Sequence, residues 1–466
     1  MTIVSISDVF LDKIKLNSSI CIQGWIKNKR TSKMGLSFID LYDGSCVYCI
    51  QVLAQNKLQN YANEILKLTS GCSIIVFGKL IKSIGNNQKY DVKANDIKVL
   101  GLIDNPGSYP ISSKKHTMKH LRNFSHLRAR TNFFGAVSRV RNCLFHAFHN
   151  FLYKNGYYWV STPIITGLNS EGAGDMFRVS TLDFKKIPIN KNGDVDFRKD
   201  FFNKESFLSV SGQLTLETYA CALSKVYAFG PIFRAENSNT SRHLSEFWML
   251  EVETAFSRLY DIINFCENML KYVVNIILEK CSNDIKFFQD TVDKNIFKRL
   301  YDFSKKKFFQ IEYKEAIKIL NNSNRFSTQN LFFGSELSSD HERFLVEEYF
   351  KFPVIIINYP KSLKAFYMRL NDDGETVSAM DILVPGIGEV VGGSEREERL
   401  SILDSRFYEL KLNKNDYGWY RDLRKYGTVP HSGFGIGFER IFSYFLGIKN
   451  IKDVCPFPRT IHKSDF

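Results

Sequence analysis

Apolar and polar positions alternate in short runs along the first hundred residues, over 20–26, 36–41, 47–53, 73–81 and 91–100. Period two in runs of this length predicts strands with one buried face. Asp43-Gly44 and Gly85-Asn86-Asn87 supply the turns between them. Five strands, with a helical pattern interposed at 58–68, suit a small Greek-key barrel. The chain then breaks at Asp104-Asn105-Pro106-Gly107 and Tyr109-Pro110, which regular structure does not easily cross. Beyond the break the period changes. Val137, Val140, Leu144, Phe148, Phe151 and Leu152 share one helical face, and Gly156 follows as a cap. The stretch GYYWVSTP reads as a short strand stopped by Pro163. Strand-like and helical segments then mix without a βαβ rhythm, which predicts an α+β domain on an antiparallel sheet. Residues 265–339 read as largely helical and peripheral.

Composition and charge add a direction to this outline. At 466 residues, with 44% hydrophobic and 24% charged positions, the chain can bury more than one core. No apolar run reaches a membrane span, and the N-terminus MTIVSISDVF lacks a signal pattern, so the cytoplasm is the expected compartment. The nine cysteines are irregularly spaced. The pair Cys46 and Cys49 would point to opposite faces of a strand and lacks companions for a zinc site. Net charge is +14, and residues 111–141 hold eight Lys or Arg, three His and no acid. Such a stretch is either a solvated basic face or a surface for a polyanion, with nucleic acid favoured. These features divide the chain into an all-β OB-type barrel over 1–103, a basic linker over 104–133 and an α+β domain over 134–466.

Three stretches carry candidate chemistry. In 233–253, FRAENSNTSRHLSEFWMLEVE, two apparent strands flank a polar loop with Arg242 and His243. Alternation puts Arg234 and Glu236 on one face, where they could meet one ligand or simply form a cross-strand ion pair. Arginine's planar fork matches phosphate oxygens. In 431–447, HSGFGIGFERIFSYFLG, glycines 433, 435 and 437 alternate along a strand and open room for a flat ligand. Arg440 falls in the first turn of the helix that follows, where the macrodipole opposes a cation unless an anion joins it. In 379–400, Asp381 and Glu389 flank Pro385-Gly386 as a hairpin would place them, and two such carboxylates could hold Mg2+.

With these residues in view, GYYWVSTP, FRAE with RHLSEF, and GFGIGFER resemble motifs 1, 2 and 3 of the class II aminoacyl-tRNA synthetases. The barrel and the order of parts are similar to the aspartate, asparagine and lysine subgroup, and most similar to its bacterial asparagine-specific branch. The resemblance runs nearly end to end. It implies a homodimer through motif 1, ending at Pro163; a catalytic Arg234 on the α-phosphate; and Arg440 over the adenine and on the γ-phosphate. It further implies Glu236, Arg242, His243, Leu244, Phe247, Glu389 and Gly437 around ATP, and Asp381 with Glu389 on Mg2+. Arg30, Phe38 and Gln51 fall where the subgroup reads the anticodon, although Phe38 could instead be core.

The amino acid follows from the same likeness. Aspartate enzymes carry a lysine where SGQLTLE holds Leu216. The expected pocket therefore uses Glu217 to accept from an amide NH2 and Arg396 to donate to its C=O, with Ser211 and Gln213 nearby and Glu171 on the α-ammonium. The expectation is activation of asparagine with ATP and transfer to its tRNA. An aspartate or mixed-specificity enzyme, or an inert RNA-binding relative, would share the same motifs.

Overall fold

The computed structural model describes residues 2–85, 88–112, 114, 116–168, 175–326 and 328–464. The five alternating runs form strands Ser19–Thr31, Leu36–Tyr42, Ile50–Gln55, Ser73–Lys82 and Tyr90–Gly101. The third pairs in parallel with the fifth and the fourth returns to the first, closing the barrel. Ile22, Ile39, Leu41, Val52, Ile74, Val76 and Val92 fill it. Register places Arg30 opposite Phe38 and Asp40 opposite Gln51 on the outer face. The helix expected at 58–68 shrinks to one 3-10 turn, Ile65–Lys67. Its apolar positions Leu58, Tyr61, Ile65 and Leu68 are all buried in the barrel core, but the backbone bonds there are mostly of the shorter i→i+3 kind.

The basic segment is not a bare linker. It contains helices Met118–Asn123 and Ser125–Arg128, and Ile111, Leu121 and Phe134 form a small core of their own. One compact unit comprises residues 1–142 together with 281–291. Within it, Arg139 binds both oxygens of Asp284 and donates to the Gly44 carbonyl at 2.9 Å, while Phe133 meets Phe288 edge-on. The helix Ser282–Thr291 is thus a remote part of the barrel unit, a connection that local periodicity does not carry.

The other unit comprises 143–280 and 292–466. Its sheet has eight strands, in the order Phe309–Glu312, Val354–Pro360, Thr376–Val384, Gly388–Glu395, His431–Gly437, Glu246–Ala255, Lys225–Phe233, Tyr158–Trp159. The outermost pair at each end is parallel and the rest antiparallel. Helix Leu259–Lys280 packs on the central strands and buries Cys266, Met269, Leu270, Val273 and Val274, so the start of the segment expected to be peripheral is core. Among the described residues no helix is long and apolar enough to cross a membrane.

Candidate active site

A cavity of about 680 Å3 opens on the central strands of the eight-stranded sheet. That volume lies within the range of small-molecule sites. Arg234 and Glu236 both line it, although they lie past the end of strand Lys225–Phe233 rather than on it. The Arg234 amide still donates to the Ser245 carbonyl at 2.9 Å, and its guanidinium sits 5.5 Å from the centre of the Phe247 ring. Arg242 donates to the Ile387 carbonyl. His243 lies 2.6 Å from the Thr240 hydroxyl, and burial, then the charge of Arg440, holds its imidazole below the ordinary value. Arg440 is the third residue of helix Phe438–Leu446 and donates to the Glu389 carbonyl at 3.2 Å. Leu244, Phe247 and Gly437 complete this end of the cavity.

Asp381 and Glu389 lie on the two arms of a hairpin, and their carboxylates converge above Gly392. A β-carbon at 392 would stand 3.3 Å from Glu389 Oε1 and 3.6 Å from Asp381 Oδ1. Lys364 Nζ bonds Asp381 at 2.6 Å; burial raises the Asp381 carboxyl, and Lys364 opposes that. Hard oxygen donors in this arrangement fit a divalent ion that takes its remaining ligands from phosphate and water. Among the described residues no cluster of three or more ligating side chains could hold a metal.

At the other end the floor is formed by a buried ion pair. Arg396 Nε lies 3.1 Å from Glu253 Oε2, Nη2 bonds the second Glu253 oxygen, and Nη1 donates to Ser394 Oγ at 2.7 Å. Both residues line the cavity. Burial raises the Glu253 carboxyl, partly offset by Arg396. Glycine at 433 has a steric cause, since a β-carbon there would collide with the Glu253 carboxylate. The space above that glycine is filled by this side chain rather than left for a flat ligand. Next along the strand, Glu251 accepts from Ser211 Oγ at 2.5 Å and from the Gly212 amide, at the N-terminus of helix Gln213–Leu223.

The expectation for Glu217 needs correction. Its side chain is fully buried and does not line the cavity. Tyr420 (2.7 Å), His431 (2.9 Å) and Arg424 (3.1 Å) surround Oε2, and Gln213 donates to Oε1 at 3.1 Å. Burial opposes its ionisation, but the His431 hydrogen bond and the charges of Arg424 and Arg396 outweigh it and hold the carboxyl below the usual range. Leu216 likewise packs in an apolar cluster with Ala220, Val226 and Ala228. The carboxylate that faces both Arg396 and the cavity is Glu253.

Glu251 and Glu253 received no role from sequence. Their signal was alternation: Met249, Glu251 and Glu253 share one face while Leu250 and Val252 are buried on the other. Glu171 lies outside the described residues. Ser211 and Gln213 line the cavity, and Pro163 is exposed. In the barrel Phe38 is half-buried on the outer face with Arg30 5.0 Å from its ring centre, so it is not core; Gln51 accepts from Gln88 at 2.8 Å.

Residues 117–461 match the family model for tRNA synthetases class II (D, K and N), and residues 20–100 match that for the OB-fold nucleic acid binding domain. The chain belongs to the class II tRNA synthetases of the D, K and N group. Over the full length of both chains it is 73% identical to an asparagine–tRNA ligase of Buchnera aphidicola subsp. Baizongia pistaciae and 54% identical to that of Escherichia coli O139:H28. Among solved structures, asparaginyl-tRNA synthetase of Pyrococcus horikoshii complexed with asparaginyl-adenylate is 31% identical, with a TM-score of 0.83 and 96% of each chain covered.

Proposed function

We infer that this chain is an asparagine–tRNA ligase, which activates asparagine with ATP and transfers it to its tRNA. The observation that carries the choice of amino acid is the buried Glu253–Arg396 pair on the cavity floor. A carboxamide offers one donor end and one acceptor end. Glu253 accepts from the NH2, and a guanidinium hydrogen of Arg396 that Glu253 and Ser394 leave over donates to the C=O. Aspartate would set a second desolvated carboxylate against Glu253.

Activation is an in-line attack of the asparagine carboxylate on the α-phosphate, with pyrophosphate leaving. Arg234 stabilises the negative charge on the α-phosphate oxygens during attack, and Phe247 offers a flat surface to the adenine. Arg242, His243 and Arg440 take the outer phosphates, and Glu236 accepts from the adenine amine. Asp381 and Glu389 are the residues that would hold Mg2+, which when bound offsets the phosphate charge. Glu251, beside Gln213, supplies an anion for the α-ammonium in addition to Glu171. Arg30, Phe38 and Gln51 read the anticodon from the outer face of the barrel. The exposed Tyr158, Trp159, Ile164 and Ile165 beside Pro163 form an apolar edge that suits a homodimer, for which sedimentation is the test.

Amino-acid-dependent ATP–pyrophosphate exchange tests the reading. Exchange with asparagine and little with aspartate is expected; the reverse preference would assign the enzyme to aspartate, and no exchange with either would make it an inert relative.

A further inference from the structure

The hairpin that carries Asp381 and Glu389 is held from outside the cavity by a segment with no place in the chemistry described so far. Helix Ser339–Arg343 begins with a capping box, in which Ser338 Oγ accepts from the His341 amide and His341 Nδ1 accepts from the Ser338 amide at 3.1 Å. It continues without a break into a π turn, Phe344–Tyr349, sealed by the Phe350 amide on the Leu345 carbonyl at 2.9 Å. Such turns are rare and concentrate at functional sites. Five residues apart on an α-helix, two side chains point roughly 140° away from each other. A π turn winds more slowly and swings them toward one side.

The two side chains concerned are Glu342 and Glu347. Glu347 Oε1 accepts from the Gly386 amide at 2.9 Å, and Glu342 Oε2 accepts from the Glu389 amide at 3.4 Å. These amides bracket the tip of the hairpin, where Gly386 and Gly388 both have positive φ. Arg242 approaches the same tip from the other side and donates to the Ile387 carbonyl. A β-carbon at 388 would meet Glu342 Oε2 at 2.5 Å and Arg242 Nη1 at 2.6 Å, so the glycine lies between a carboxyl group and a guanidinium. Leu345 and Val346 fix the segment, since both are buried in the core that contains Val354, Ile356, Val377 and Leu383.

We propose that Glu342 and Glu347 are positioning residues for ATP, and that the π turn clamps the hairpin tip so that Glu389 and Arg242 meet the triphosphate in a fixed geometry. The proposal rests on the reading of Glu389 and Arg242 as ATP-site residues. It extends the nucleotide site to a segment that touches neither nucleotide nor amino acid. The action is preorganisation: a carboxyl oxygen accepting from each of two loop amides removes alternative conformations of the tip before ATP arrives.

The test uses the full-length protein and two variants, Glu347→Ala, at a partly exposed position, and Glu342→Met, which roughly keeps the side-chain volume and has no oxygen to accept from the Glu389 amide. Amide hydrogen exchange is followed at 386–389 without nucleotide, and dissociation constants for ATP with Mg2+ and for asparagine are measured separately by equilibrium dialysis. The expected result is faster exchange at Gly386 and Glu389 and an ATP constant weakened by about tenfold, the scale of one hydrogen bond to a charged group. The asparagine constant and the melting temperature stay near those of the parent. Parent-like exchange at the tip, or loss of ATP and asparagine binding together with a lower melting temperature, would overturn the clamp. Failure of the parent protein to bind asparagine would count against the proposed function instead, leaving the exchange and ATP measurements to judge the clamp.

Discussion

Arg396 and Glu253 face each other edge to edge, with Nε 3.1 Å from Oε2, and both side chains are almost fully buried. A pair so desolvated is strongly disturbed when one member changes. Glu253→Gln keeps the size, removes the charge and places an amide beside the guanidinium. Asparagine-dependent exchange should fall by about a hundredfold or more in specificity constant, with little change in the constant for ATP. Steady-state exchange kinetics with each substrate varied in turn will show whether the loss is confined to the amino acid.

Glu217 is expected to behave differently. With Tyr420, His431 and Arg424 around one oxygen, its removal leaves a buried cation without its partner. Glu217→Gln should lower stability by about 3 kcal/mol in chemical denaturation at neutral pH. Because its folded pKa is depressed, this contribution is complete above the unfolded value of about 4.3 and is lost as pH falls through the folded one. The gap between parent and variant should therefore hold steady near neutrality and narrow only in acid. A gap that narrows already near neutrality would be inconsistent with the depressed carboxyl.

Acidity should affect substrate choice through Glu253 in the opposite direction. Burial raises this carboxyl, so its proton returns closer to neutrality than an ordinary carboxyl's would. By the same linkage, the raised value contributes stability below the unfolded pKa that is lost as pH rises through the folded one. Protonated Glu253 donates, and it can then accommodate a carboxylate. The ratio of asparagine to aspartate specificity constants should fall between about pH 8 and about pH 6, well above the ordinary carboxyl range near 4.3. A ratio constant over that interval would remove Glu253 from discrimination.

Phe38 and Arg30 stand together on the outer face of the barrel, paired in register. Loss of a ring that stacks a base costs about 1–3 kcal/mol. Phe38→Ala should raise KM for the tRNA about tenfold or more and leave tRNA-independent exchange unchanged. Equal effects on both reactions would point to damage in the fold of the barrel.

The barrel was legible because each of its strands has one wet face, and period two survives in the sequence. In the eight-stranded sheet one face of the central strands packs on helix Leu259–Lys280 and the other lines the cavity. Glu251 and Glu253 therefore looked like ordinary polar alternates rather than cavity residues, and nothing local distinguished them from Glu217. Glu217 misled because its neighbours Tyr420, Arg424 and His431 arrive from two hundred residues away. Asp381 and Glu389 were easier: the Pro385-Gly386 turn between them declares a hairpin, and a hairpin fixes which residues face each other. Arg234 lines the cavity, but the alternation that put it on a strand with Glu236 does not apply, because strand Lys225–Phe233 ends just before it.

The Arg139–Asp284 pair also bears on synthesis. The carboxylate that binds Arg139 lies in a helix beginning at Ser282, well over a hundred residues downstream. Domains tend to fold in order of emergence from the ribosome. Here the barrel unit waits for a piece of itself while most of the strand Lys225–Phe233 hairpin and the long helix Leu259–Lys280 are being made. A nascent chain halted before residue 281 exposes the face of helix Asn132–Lys154 that Phe288 would cover near Phe133, and a fragment cut at residue 142 carries that gap permanently.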